Sequence, residues 1–199
     1  MKIALIGAPT SGKSELAEAL AKKLDGDYTI IDNYIDDIGK NADLAMGIRA
    51  TYIGNLYAML GRVAAERKAQ SEGAENLITC GSLIESSIYA TLETLNNKSE
   101  PKLQRIGAFM TILGLLRQDT WDYDHAFVLS VEEPEDDTVA KAIDDTMFMA
   151  VNSFGIYYTP LDAPDTETRV KLVLEEIEKR EHASEHFIDG TPAPEEPVG

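Results

Sequence analysis

The chain has 199 residues, 44% of them hydrophobic, enough for one well-buried domain with room for small insertions. Its formal net charge of -17 works against bulk nucleic-acid binding, which rests on neutralising phosphates, although a local basic groove would be compatible with it. No apolar run approaches the ~20 residues of a membrane span, Met1-Lys2 leads straight into a strand pattern, and the one cysteine, Cys80, excludes an internal disulfide, so a cytoplasmic protein is expected.

The first element is Lys2-Ile3-Ala4-Leu5-Ile6, a short apolar run of the kind that makes a buried parallel strand. Gly7-Ala8-Pro9-Thr10-Ser11-Gly12-Lys13-Ser14 follows and fits the phosphate-loop pattern G-x-x-x-x-G-K-[ST] without a mismatch. Glu15 to Leu24 then repeats leucine every four residues, at Leu16, Leu20 and Leu24, which predicts an amphipathic helix. The order strand, glycine loop, helix N-terminus is the one a phosphate site needs. The glycines let the backbone bend around a phosphate. The amides of residues 9 to 14 can form a nest of donors, and the helix adds the positive end of its dipole. Lys13 would neutralise the β- and γ-phosphates, and the Ser14 hydroxyl would bind Mg²⁺.

Tyr28-Thr29-Ile30-Ile31 predicts a second strand that delivers Asp32 to its carboxyl end, where ligands of parallel sheets gather. Asp32 would meet a substrate hydroxyl or a metal-bound water there, or simply cap the next turn. Asp36 and Asp37 follow on the same loop as weaker substrate-side candidates. Asp43 to Gln70 is expected as one long helix, with Leu44, Ile48, Leu56, Leu60 and Val63 on its apolar side and Tyr52 and Tyr57 beside it. It carries Arg49, Arg62 and Arg67. Most of these should face solvent or pair with Glu66 and Glu72, leaving Arg49 as the candidate for a substrate phosphate.

Asn76 to Cys80 is a third strand broken by Gly81-Ser82, and Ser82 to Glu85 has the spacing of a helix-starting capping box. Pro101 opens a further helix with a core side of Leu103, Ile106, Met110, Leu113 and Leu116. Ala126 to Val131 predicts strand four. The stretch Glu132 to Asp145 has seven acids and one base, Lys141, and a helical spacing of Val139, Ile143 and Met147. Ile156 to Thr159 predicts strand five, and Asp165 or Thr166 caps a last helix. From Glu181 the apolar pattern stops, so residues 181–199 are expected as an acidic tail on a domain of residues 1–180. His182 and His186 sit four apart in it, as a solvated pair rather than metal ligands.

Strands alternating with helical patterns define an α/β domain with a parallel sheet. The run to about residue 180 resembles the nucleoside and nucleotide kinase group of P-loop proteins, most of all small bacterial and phage kinases related to the nicotinamide riboside kinase domain and thymidylate kinase. The resemblance is carried by GAPTSGKS at 7–14, YAMLGRVAAERKA at 57–69 and LITCGSLIESSIYA at 77–90. FVLSVEEPEDD at 127–137 and IYYTPLDAPDTETRVKLVLEEI at 156–177 complete it. It implies a P-loop NTPase fold, a three-layer α/β/α domain whose five-stranded sheet has strand 3 beside strand 1. It also implies that the end of strand 3 faces the phosphates and that a lid, here residues 132–152, follows strand 4. Two positions depart from the family. Asp-Arg-Ser or Asp-Gly-Ser often follows strand 3, where this chain has Cys80-Gly81-Ser82. Lids normally bring arginines to the transferred group, and this chain has none between Arg117 and Arg169.

The resemblance implies an ATP- and Mg²⁺-dependent kinase acting on a nucleoside, a nucleotide or a nucleobase-linked hydroxyl. Lys13 and the loop amides of residues 7–14 would stabilise the moving phosphoryl group, Ser14 would hold Mg²⁺, and Asp32 would serve the acceptor. Arg117 or Lys141 would replace the missing lid charges, with Asp32, Asp36 and Arg49 on the acceptor side. A phage kinase of hydroxymethylated bases in DNA is one form of this reading. Two others stand beside it. An ATPase or nucleotide switch would use the acids that end Val128-Leu129-Ser130-Val131-Glu132-Glu133. A degenerate nucleotide-binding module would explain the departures at Cys80 and in the lid.

Overall fold

The computed structural model describes residues 1–8, 11–32, 51–83, 85–86, 88–90, 107, 111, 114, 123–130, 145 and 157–188. Within them lie strands β1 (Lys2–Gly7), β2 (Tyr28–Ile31), β3 (Asn76–Cys80), β4 (His125–Leu129) and β5 (Thr159–Leu161). The helices are α1 (Lys13–Ala21), α2 (Tyr52–Ser71) and α3 (Thr166–Ile188). The five strands form one parallel sheet in the order β2-β3-β1-β4-β5, with β3 beside β1 as expected.

The two central strands are apolar because both of their faces are covered: Ile3 to Gly7 and all of β4 are buried. One face packs Ile3, Leu5, Ile78, Cys80, Phe127 and Leu129 against Leu16, Ala17 and Leu20 of α1 and Val170, Val173 and Ile177 of α3. Strand alternation turns Ile31 and Leu77 to the other face, where they meet Ala69 of α2. The result is a three-layer α/β/α domain whose phosphate loop leaves the middle of the sheet. None of the described helices is long and apolar enough to cross a membrane.

Three expectations change. The long helix does not run through from Asp43: Thr51 is extended, at φ -74 and ψ 167, and its hydroxyl accepts the Gly54 N–H, so α2 starts at Tyr52. Its buried face is also not the leucine stripe. Leu60 and Tyr57 are half exposed, whereas Asn55, Arg62 and Glu66 are buried beside Met59 and Val63. Strand five lies further along the chain than Ile156–Thr159. The register pairs Phe127, Val128 and Leu129 with Thr159, Pro160 and Leu161, and Tyr157 is exposed. Pro160 is tolerated within β5 because β5 is an edge strand, which needs no amide on its outer side.

The last helix begins as expected. The Thr168 N–H donates to Asp165 Oδ1 at 2.8 Å and its hydroxyl to Oδ2 at 2.7 Å. The backbone bond from Thr168 holds the Asp165 carboxyl below its usual range. The helix continues from Glu181 to Ile188, the stretch where the apolar pattern fades.

Candidate phosphate-binding site

β1 delivers Gly7 to the carboxyl edge of the sheet, and the chain turns back into α1 at Lys13. A turn bond from Ser11 N to Ala8 O, 3.1 Å, closes the near part of the loop. Gly12 is the residue before α1 and takes φ +83, a left-handed conformation that any side chain would strain. Its carbonyl accepts from Leu16 N at 3.0 Å, so the helix hydrogen bonding begins there. The first-turn amides of α1 are left facing the loop, together with the positive end of the helix dipole.

Lys13 is folded onto this loop. Its Nζ donates to Gly7 O at 2.6 Å and Ala8 O at 2.7 Å, and lies 3.6 Å from Glu85 Oε1. Those carbonyls hold the ammonium where a phosphate oxygen would replace them. Ser14 stands exposed one residue further on, with its hydroxyl on the first turn of α1.

Glu85 is the residue that sequence reasoning undervalued. One oxygen accepts from Ser82 N at 3.2 Å, which is the expected capping-box bond. The other accepts from Gly7 N at 2.9 Å, tying the turn after β3 to the start of the phosphate loop. A carboxylate thus stands beside the phosphate loop even though position 80 is a cysteine. The capping-box spacing was its signal; that the same carboxylate reaches β1 follows only from strand order.

Arg62 reaches the same turn from α2. It is fully buried, donates to Cys80 O at 2.5 Å, and has Glu66 at 3.7 Å as its ion-pair partner. Glu66 also takes Lys2 at 2.6 Å and accepts from the Tyr123 hydroxyl at 2.9 Å. Burial, with Glu66 beside it, pushes the Tyr123 phenol far up, so Tyr123 stays a donor. Gly81, at φ +103, leaves room for Glu85 and Arg62: a Cβ there would collide with Glu85 Oε2 and lie 2.9 Å from an Arg62 nitrogen. The expected pairing of Arg62 with Glu66 holds, but its setting is buried rather than solvated.

On the other flank Arg169 is buried under the loop. Its Nε donates to Ala163 O and one terminal nitrogen to Ser11 O, both at 2.6 Å; the other nitrogen donates to Ser130 O at 3.1 Å. No sequence pattern marked it beyond its place at the end of the arginine-free stretch.

Asp32 sits half-buried immediately after β2, and its charge is felt at Cys80 together with those of Arg62, Lys13 and Glu85. Burial first, then Asp32, pushes the Cys80 thiol up to about 12, so this buried cysteine is a packing group and not a nucleophile. The structure therefore gathers Gly7, Ala8, Ser11, Gly12, Lys13, Ser14 and Asp32 at one edge of the sheet. Pro9, Thr10, Asp36, Arg49, Arg117, Lys141 and, apart from Asp145, the candidate lid 132–152 lie outside the described residues. Among the described residues no group of three or more His, Cys, Asp or Glu could enclose a metal ion. Mg²⁺ bound largely by phosphate and water, with one hydroxyl such as Ser14, fits this donor set.

Residues 2–169 match the model of a family described as an AAA domain. No curated protein shows a significant sequence match. Among solved structures the chain is similar to thymidylate kinase from Candida albicans, at TM-score 0.64 and 17% identity, over 90% of this chain and 92% of that one. It is similar to deoxyadenosine kinase from M. mycoides at TM-score 0.55 and 18% identity, over 90% of this chain and all of that one. It is also similar to a NadR protein in complex with NR, at TM-score 0.68 and 14% identity, over 99% of this chain but only 52% of that longer one. The five-stranded sheet, the phosphate loop between β1 and α1 and these similarities agree: the chain belongs to this AAA domain family and has the P-loop kinase fold.

Proposed function

We propose that the protein is an ATP- and Mg²⁺-dependent phosphotransferase acting on a nucleoside-like acceptor of low charge. The observation that carries this reading is Lys13, held over Gly7 O and Ala8 O at the N-terminus of α1, where a triphosphate would displace those contacts. The similar solved structures named for deoxyadenosine kinase, thymidylate kinase and NadR with NR support a nucleoside-type acceptor.

In-line phosphoryl transfer needs positioning and charge stabilisation, not a covalent intermediate. The chain's residues divide that work. Lys13 would leave its carbonyls for β- and γ-phosphate oxygens, and the loop and first-turn amides would take the rest of the charge. Ser14 would hold Mg²⁺, which when bound supplies further neutralisation of the phosphates. Asp32, at the carboxyl end of β2, would hydrogen-bond the acceptor hydroxyl and accept its proton. Asp32 on the acceptor side and the acidic candidate lid disfavour a heavily phosphorylated acceptor. The acidic surface likewise disfavours DNA as the acceptor.

The test is a coupled ADP-release assay with MgATP across nucleosides, nucleoside monophosphates and hydroxymethylated DNA, with products identified by mass. Slow hydrolysis alone and a marked rise with one nucleoside-like acceptor are expected. Fast ADP release that no acceptor increases would point to an ATPase. Nucleotide binding without turnover would point to a degenerate module.

A further inference from the structure

Arg169 is a buried cation without a counter-charge: among the described residues no carboxylate lies within ion-pair distance, and its hydrogen bonds go to three backbone carbonyls. Burying a guanidinium is costly unless its donors are matched. Here they are matched by segments far apart in sequence. Ser11 belongs to the phosphate loop, Ser130 follows β4, and Ala163 precedes α3. The planar fork of the guanidinium can serve three carbonyls in fixed directions at once, which an ammonium cannot. A side chain at Gly12 would approach the same guanidinium, with a Cβ 3.3 Å from it.

We infer that Arg169 is a positioning residue of the phosphate cradle. By holding the Ser11 carbonyl back from the cavity, it keeps the loop open before nucleotide arrives. Pulling that carbonyl outward also turns the following peptide N–H, that of Gly12, toward the phosphate side, because the two ends of a peptide group point in opposite directions. Its positive charge, with no carboxylate within ion-pair distance among the described residues, adds to that of Lys13 on the side of the loop opposite Glu85. Such a charge in a low-dielectric setting acts on a bound phosphate more strongly than a solvated one would. Arg169 therefore acts through the loop and does not itself touch the nucleotide. This inference rests on the proposed nucleotide-binding reading.

Two measurements on the full chain test it. Calorimetric titration with MgATP should show at least a tenfold weaker affinity for Arg169→Gln. Arg169→Lys, which keeps the charge and part of the bonding, should lose less. Hydrogen exchange of the nucleotide-free protein should quicken at residues 11–16 in both variants while β3 and α2 keep their protection. An Arg169→Gln variant that unfolds more easily yet binds MgATP as tightly as wild type would overturn the inference, since a merely structural arginine behaves so. Should Arg169→Gln fail to fold, Arg169→Lys decides: unchanged affinity and unchanged exchange at residues 11–16 would overturn it. Failure of the wild type to bind MgATP would contradict the nucleotide reading instead, and the exchange measurement would still test the brace.

Discussion

The two flanks of the phosphate loop are held by opposite chemistry. On the β3 flank a carboxylate, Glu85, accepts the Gly7 N–H, and behind it stands a buried chain of charges running from Arg62 through Glu66 to Lys2. On the β4 flank a guanidinium, Arg169, donates to the Ser11 carbonyl, and among the described residues its other partners are the Ala163 and Ser130 carbonyls. Each flank uses the charge that matches the backbone group it must hold, a donor at Gly7 and an acceptor at Ser11. The flanks differ in what breaking them should do. The β3 flank is a charge network whose members depend on one another, so its loss falls on the stability of the whole sheet. The β4 flank is a local brace, so its loss falls on the shape of the loop.

The largest effect is expected at the hub of the network. Glu66→Ala would leave Lys2 and Arg62 without their shared acid and Tyr123 without its acceptor, and should cost about 3–5 kcal/mol, as for other broken buried ion pairs. Urea unfolding of the variant against wild type measures it, and a loss under half that size would mean the network is not cooperative.

Glu85→Gln is the next step down. The amide keeps the shape but can accept through only one atom, so either the Gly7 or the Ser82 N–H loses its partner. The expected cost is about 1–3 kcal/mol for one unsatisfied buried donor. The same variant should bind MgATP more weakly if Gly7 is the amide released. Equal stability would show that the carboxylate charge is not what joins β1 to the turn after β3.

Much of this geometry was legible in the residues, and the missing part has a common cause. The phosphate loop and the caps at Ser82 and Asp165 are local in sequence, so spacing alone exposes them, whereas the place of β3 beside β1 came from the family resemblance. Arg62 and Glu66 sit four apart on α2, so their pairing was readable, but their burial was not. They are polar residues on the buried side of α2, whereas Leu60 and Tyr57, the better apolar candidates by composition, are half exposed. Arg169 lies 158 residues from Ser11, and only the arrangement of β1, β4 and α3 brings them together. Strand five was placed too early because a proline fits a strand only at a sheet edge, and whether β5 is an edge depends on strand order.

A smaller effect separates the β4 flank by pH. His125 opens β4, and burial first, with Arg180 adding to it against Asp124, Glu176 and Glu181, holds its imidazole below the ordinary 6.5. A folded value below the unfolded one means the folded state favours the neutral ring. Its contribution is therefore present above pH 6.5 and is lost as the pH falls below it. Melting temperature should decline from pH 7 to pH 5, and His125→Phe should flatten part of that decline. An unchanged slope would remove His125 from the account.

Lys13 stands between the two flanks, folded onto the loop they hold. Titration calorimetry with MgATP on wild type and Lys13→Ala tests the proposed phosphate site most directly, because the variant removes the proposed phosphate ligand and no part of the apolar core. One saturable site per chain is predicted for the wild type, with affinity reduced at least a hundredfold in Lys13→Ala at unchanged thermal stability. Equal affinity in the two proteins would contradict the assignment of this loop as the phosphate site.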